Sequence, residues 1–206
     1  DLFYTKKTNE INQAALSATD YTHTKINTFG FEYSILRKES DHTLIGMDYS
    51  DEAMYELSYG TSFKHTNKVK QAYISSTHSL TDKLQTNFGV RTQNHSTYKN
   101  FKSGNIGINY YFNPRFVISA AVAKSFRAPD ATDLFGYAGN NKLNPEESRT
   151  SEISIRYRVS SNESFASTLF HNKITNLIES DGTKMQNINK ARINGFDISY
   201  VRYVNN

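Results

Sequence analysis

The chain has no cysteine and no tryptophan, and only three prolines among its 206 residues. Without cysteine, neither a disulfide framework nor a thiolate metal site can form, and the redox compartment stays open. Long apolar runs are also missing. No stretch approaches the roughly 18 to 20 consecutive apolar residues that a membrane helix needs, and no basic-then-apolar signal segment opens the chain. Hydrophobic residues make up 37% of the sequence and the mean hydropathy is −0.65, so the apolar side chains are too dispersed to build an ordinary soluble core.

Charge of one sign is scarce as well. The 24 Lys and Arg are spread among 20 Asp and Glu for a net charge of +4. No basic block results, which removes the clustered face that a nucleic-acid partner requires. The six histidines (His23, His42, His65, His78, His95, His171) show neither HExxH nor paired-ligand spacing, and no Gly-x-Ser-x-Gly elbow is present. The sequence therefore predicts no catalytic residues, no metal site and no cofactor. The acidic run Asp48, Asp51, Glu52 lacks the ligand and glycine order of a calcium loop and reads as a solvated loop entrance.

What the chain does have is Tyr (14) and Phe (13), and an alternation of apolar and polar residues that recurs in segment after segment. Period two means strand. One face would carry Phe29, Phe31, Tyr33 and Ile35; then Leu84, Phe88 and Val90; then Ile106, Ile108, Tyr110 and Phe112. Further along come Phe116, Ile118, Ala120 and Val122; Ile153, Ile155, Tyr157 and Val159; and Phe196, Ile198 and Tyr200. The opposite face carries Gln85, Asn87, Arg91, Asn105, Asn109, Glu152, Arg156 and Arg158, which a dry sandwich core would not accept unpaired. Alternation with one apolar and one polar face is what a transmembrane barrel wall requires, because only every second residue meets lipid. On that reading Tyr49, Tyr110, Tyr111, Phe112, Phe116, Tyr157 and Tyr200 form the interfacial aromatic girdles, and Arg91, Glu152, Arg156, Arg158 and Asp197 face the lumen.

Connections add a second regularity. Short turns near Lys38 to His42, Thr81 to Lys83, Asn113 to Arg115 and Ser160 to Glu163 alternate with longer loops near Ser50 to Thr66, Asn94 to Lys102, Arg127 to Glu147 and Glu179 to Gln186. Tight turns at one end and long loops at the other suit an outer-membrane barrel. The sequence predicts an all-β fold, an antiparallel transmembrane β-barrel that is partial. About nine strands follow Leu44, with a possible further one before Tyr21, and residues 1–206 form part of one barrel domain.

From Lys124 to Ile155 runs the segment KSFRAPDATDLFGYAGNNKLNPEESRTSEISI. Its SFRAP (Ser125 to Pro129) and LNPEES (Leu143 to Ser148) elements, with NKARINGFDISY (Asn189 to Tyr200) and LTDKLQTNFGVR (Leu80 to Arg91), resemble TonB-dependent outer-membrane receptors. The DATDLFGYAGN stretch (Asp130 to Asn140) looks most like the cobalamin-transporter type. The resemblance implies a monomer in the bacterial outer membrane, of about 22 strands and plugged by an amino-terminal domain. It imports a scarce nutrient, cobalamin or a ferric siderophore, with energy passed on by TonB. Plug, TonB-contacting segment and closing strand are expected outside this chain.

Individual residues follow from their chemistry. Pro129 ends a strand ladder behind Arg127, because proline lacks an amide donor. Pro145 does the same before re-entry, and Glu146 with Glu147 can pair with Arg127 or cap amides. Gly195 permits a close backbone approach or a bulge. At the loop tip Leu134, Phe135, Tyr137, Asn140 and Asn141 put aromatic faces beside amides, and Tyr98 and Phe101 lie in the adjacent loop. Such a mixture suits a large amphipathic ligand, although packing of the loop uses the same residue types. A passive porin and a soluble all-β binding module are the competing classes.

Overall fold

The computed structural model describes residues 1–15, 18–38 and 41–204. The described chain forms β1 (Leu2–Ala15), β2 (Ala18–Lys38), β3 (Asp41–Ser58), β4 (Thr61–Ser79), β5 (Leu84–His95), β6 (Lys99–Asn113) and β7 (Phe116–Arg127). A short helix α1 (Ala131–Phe135) precedes β8 (Glu146–Arg158), β9 (Glu163–Ser180) and β10 (Met185–Arg202). Every strand pairs antiparallel with its sequence neighbours, so the sheet order is simply β1 to β10. β1 and β10 are its two edges. An open edge in lipid would leave backbone groups unpaired, so these ten strands are an arc of a barrel wall rather than a closed barrel.

Register explains the alternation. Cross-strand partners share a face, and the partners Ile108↔Ala120, Ala120↔Ile153, Ile153↔Leu169 and Leu169↔Phe196 run in one apolar row across β6 to β10. These side chains are open to the surroundings: Phe196 is 71% exposed, Leu169 62% and Ile153 58%. Among the described residues the buried apolar side chains are Leu134, Leu143, Ile178 and the ring of Pro129. In water such an inversion would forfeit about 25 cal/mol for every Å² of apolar surface left exposed. Against hydrocarbon chains it is favourable. The opposite face is polar and cross-linked: Gln71 donates to Asp48 (2.7 Å), Gln93 donates to Gln71 (2.9 Å), and Tyr73 donates to Glu32.

Aromatic residues close the apolar band at the short-turn end. Phe116, Tyr157, Phe165 and Tyr200 are successive cross-strand partners, and Phe112 lies 5.3 Å from Phe116 between ring centroids. Tyr111 departs from the girdle expectation. Its hydroxyl donates to Gln85 on the polar face, because period two sends it opposite to Tyr110. Asp48, Asp51 and Glu52 likewise separate: Asp48 and Glu52 share one face of β3 and Asp51 takes the other, so they form no cluster.

The expected loop asymmetry is present in a different form. Ser50 to Thr66 is the end of β3 and start of β4, joined by Tyr59 and Gly60, both at positive φ as a two-residue hairpin turn demands. Asn94 to Lys102 and Glu179 to Gln186 also reduce to short turns at Ser96–Tyr98 and Asp181–Lys184. Above the membrane the outward face no longer meets hydrocarbon, so alternation fades from the sequence while backbone pairing continues. β2 has 21 residues and β4 has 19, against the roughly 9 to 11 that a tilted strand needs to span. Among the described residues, only 128–145 form a genuinely long connection. Of the expected turn near Lys38 to His42, Glu39 and Ser40 lie outside the described residues.

Candidate functional site

The 128–145 connection starts where Arg127 ends β7. Pro129, which cannot extend the ladder, is buried. The next residues fold as α1 because Asp130 and Asp133 form a reciprocal capping box. The Asp133 amide donates to the Asp130 carboxylate (2.8 Å), and the Asp130 amide donates to Asp133 Oδ2 (3.1 Å). Arg127 then clasps the loop. Its Nη1 donates to Asp133 Oδ2 (2.9 Å) near the loop's start, and its Nη2 to Glu146 Oε1 (3.1 Å) at its end. Glu146 Oε1 also accepts from the Ile178 amide at 2.7 Å. Burial pushes the Glu146 carboxyl up, but the Arg127 guanidinium and the Ile178 amide outweigh it and hold the group below its ordinary value.

Two sets of contacts carry the loop across the polar, concave face. On one side Thr132 donates to the buried Glu56 of β3 (2.7 Å), and the Phe135 ring packs on Phe63 and His65 of β4. On the other side the Met185 amide donates to Ala138 O (2.7 Å), and Asn140 Nδ2 donates to Met185 O (2.9 Å). Asn187 donates to Asn144 O and accepts from the Asn144 amide. A small cluster of Leu134, Leu143 and Ile178, with Tyr98 and Met185 against it, fills the space beneath. The loop thus bridges from β3 to β10, bending inward over the mouth.

Among the residues expected to meet a ligand, Leu134 is 6% exposed and committed to that cluster. Asn140 is held by Met185 and by the Lys142 amide. Phe101 stacks on Phe126 at 4.2 Å, and Tyr98 packs on His95. Tyr137 (62% exposed, against Tyr59) and Asn141 remain presented to the outside, together with one edge of Phe135. Gly195 makes a close approach: a Cβ there would come within 2.5 Å of the Phe170 ring that covers it across the strands.

Beneath the loop lies a cavity of about 150 Å³ lined by Glu52, His65, Asn67, His95, Tyr98 and Leu134, among others. Ligand pockets usually measure about 300 to 1,000 Å³, so this space is too small for a large nutrient. His95 Nε2 sits 2.9 Å from Asn67 Nδ2, and burial, then the charge of His65, pushes the imidazole below its ordinary value. Among the described residues no three His, Asp or Glu side chains converge as a metal site.

Asp133, Glu56, His65 and Asn187 were not singled out from the sequence. The spacing Asp130-x-x-Asp133 signals a cap and could have revealed Asp133. Glu56 lies 76 residues from Thr132, and no local pattern reports that contact.

Residues 1–204 match the family model described as TonB dependent receptor-like, beta-barrel. The chain is 32% identical over 113 residues to the vitamin B12 transporter BtuB of Vibrio vulnificus, covering 52% of this chain and 18% of that protein. It is 23% identical over 181 residues to an iron-regulated outer membrane virulence protein of Vibrio cholerae, covering 83% and 27%. Its fold matches the siderophore receptor PirA of Pseudomonas aeruginosa with a TM-score of 0.72, at 18% identity, over 96% of this chain and 44% of that one. The chain spans about a fifth to a quarter of these curated relatives. The structural match, at that identity, speaks for fold alone.

Proposed function

Because this chain belongs to the TonB-dependent receptor β-barrel family, we propose that it forms part of the wall of a plugged receptor that imports a scarce nutrient, cobalamin before ferric siderophore. The family consists of outer-membrane receptors and transporters rather than enzymes, and the chain is a stretch of such a barrel. The plug, the segment that contacts TonB and the closing strands are supplied by sequence outside these 206 residues, and the receptor works as a monomer.

The observation that carries the reading is the inward-folded 128–145 loop. It is clasped by Arg127 and docked on β3, β4 and β10, and it leaves Tyr137, Asn141 and part of the Phe135 ring exposed. A large amphipathic ligand is gripped by flat apolar surfaces and a few fixed amides. The similarity to a vitamin B12 transporter over 113 residues supports ranking cobalamin first.

Titrating the full-length protein with cyanocobalamin and, separately, with ferric chelates is the direct test. Saturable cobalamin binding is expected. Chelate binding without cobalamin binding would reverse the ranking. Steady ion conductance in planar bilayers without TonB would point instead to a passive porin.

A further inference from the structure

We propose that His95 is an acid-sensitive latch on the 128–145 loop: when its imidazole gains a proton, the loop is released from the mouth of the wall. Hydrogen bonding fixes which form of the ring the closed loop accepts. The Lys68 amide donates to Ser96 Oγ (3.1 Å), which leaves that hydroxyl its own proton to give, and it donates to Asn67 Oδ1 (2.8 Å). With its oxygen engaged there, the Asn67 side chain turns its NH2 group to His95 Nε2, 2.9 Å away. Nε2 must then accept, which it can do only while it carries no proton. Asn67 is itself buried, so bulk water does not compete for the relay. The proton of the neutral ring sits on Nδ1, a buried atom with no hydrogen-bond partner among the described residues.

A second proton finds no favourable place. On Nε2 it points an N–H at the Asn67 N–H, so the contact breaks, or the amide turns over and gives up the Ser96 hydroxyl. Either way a buried hydrogen bond is lost. The charge is unmatched as well. His95 shares the cavity with His65 and Asn67 of β4, Glu52 of β3, Tyr98 of the β5–β6 turn and Asp130 ahead of α1. Among the described residues no carboxylate comes within ion-pair distance of His65 or His95, and the Asp130 carboxylate accepts from the Asp133 amide instead. The loop rests directly on this site. Pro129, Ala131 and Leu134 line the cavity from the loop side. The His95 ring packs on Tyr98, which lies against the Leu134 and Leu143 cluster, and the His65 ring packs on Phe135. A charge arriving under the loop therefore weakens its seat on β4 and β5. The site is at the external end of the wall, where the long connection lies, so closure follows the acidity of the outside medium.

The test is hydrogen exchange of the full-length protein in lipid vesicles at about pH 7.5 and about pH 5, a window above the range in which Glu146 titrates. Protection of the 128–145 amides, relative to their intrinsic exchange rate at each pH, should fall roughly threefold to fivefold in acid, the worth of one hydrogen bond. His95→Gln should abolish that response. Asn67→Asp should cancel it differently, because a carboxylate accepts from the protonated ring, and the loop should stay protected in acid. His65→Gln removes the neighbouring charge and should move the midpoint to higher pH. Nitrogen resonances of labelled histidine should show Nε2 unprotonated in the closed state. Equal protection of the wild type at both pH values overturns the latch, as does an unchanged acid response in His95→Gln, or a proton on Nε2 at neutral pH. If His95→Gln does not fold, Asn67→Asp and the histidine resonances still decide. The consequence for transport, faster nutrient release in acid, rests on the receptor reading. Absence of nutrient binding at either pH is a failure of that reading, whereas loop exchange alone decides the latch.

Discussion

The apolar band of the wall and the 128–145 loop are held together in opposite ways. The band is repetitive. Row after row of Ile, Leu, Val and Phe faces outward, none of these apolar side chains is buried among the described residues, and cohesion comes from backbone ladders and the surrounding lipid. The loop is singular: one arginine, one capping box, a small buried apolar cluster and a few contacts to β3, β4 and β10 determine where it lies. A wall built from repeats tolerates exchange of one apolar residue for another but not a charge, whereas the loop depends on particular partners.

The contrast is broken most severely by placing a charge in the band. Leu169→Arg should destabilise the folded barrel by about 2 to 4 kcal/mol near the midplane, read as a shifted denaturation midpoint in lipid vesicles. The same change at Tyr137 should stay within about 0.5 kcal/mol.

Within the loop, Leu143→Ala removes a third of the buried cluster. It should cost about 2 kcal/mol locally, at the lower end for leucine truncations because the cluster is small and can collapse. Faster amide exchange across 128–145 with unchanged exchange in β5 and β6 is the expected signature.

Next comes Arg127→Ala, which leaves Asp133 and Glu146 without their shared cation. About 1 kcal/mol is expected, limited by the half-exposed guanidinium. The readout is increased protease cutting between Pro129 and Pro145. Cutting at the wild-type rate would mean that the clasp does not hold the loop.

Acidification acts on the same elements more gently. The His95 imidazole is lowered from 6.5, so its contribution is present above that value and is lost as pH falls through the lower folded one. The Glu146 carboxyl is lowered from 4.5, so its contribution is present above 4.5 and disappears further down. Protection of the loop amides, taken relative to their intrinsic exchange rate at each pH, should therefore fall in two stages, first below pH 6.5 and again below 4.5, while Asp181 in the β9–β10 turn, held at about 2 by Thr183 and Lys184, keeps that turn closed throughout.

The smallest effect on stability belongs to Tyr137→Ala. It should leave the fold unmoved and weaken nutrient binding, which separates presentation of the ring from packing.

How far each region was legible follows from its physics. Ile106, Ile108 and Tyr110 declared a lipid-facing strand because hydrocarbon meets one face only, and period two survives in the sequence. Ser50 to Thr66 read as a loop because its outward face meets no hydrocarbon and its inward face meets the 128–145 loop through polar as well as aromatic residues, so nothing in Asp51, Glu52, His65 or Thr66 distinguishes a paired strand from a free one. Pro129 and Pro145 marked the ends of the long connection through covalent geometry. Its inward fold depends on Glu56, Phe63, Met185 and Asn187, which reach it from distant strands.

By itself, then, the sequence determined the strands, the face each turns to lipid and where the chain leaves the membrane, because these follow from local periodicity and from proline's missing donor. Tertiary structure alone decided which charges become neighbours. Arg127 meets Asp133 and Glu146, while Arg149, Lys173 and Arg192 line up without an acidic partner among the described residues, because register sums the turns and bulges of a whole meander and no window of residues contains that sum.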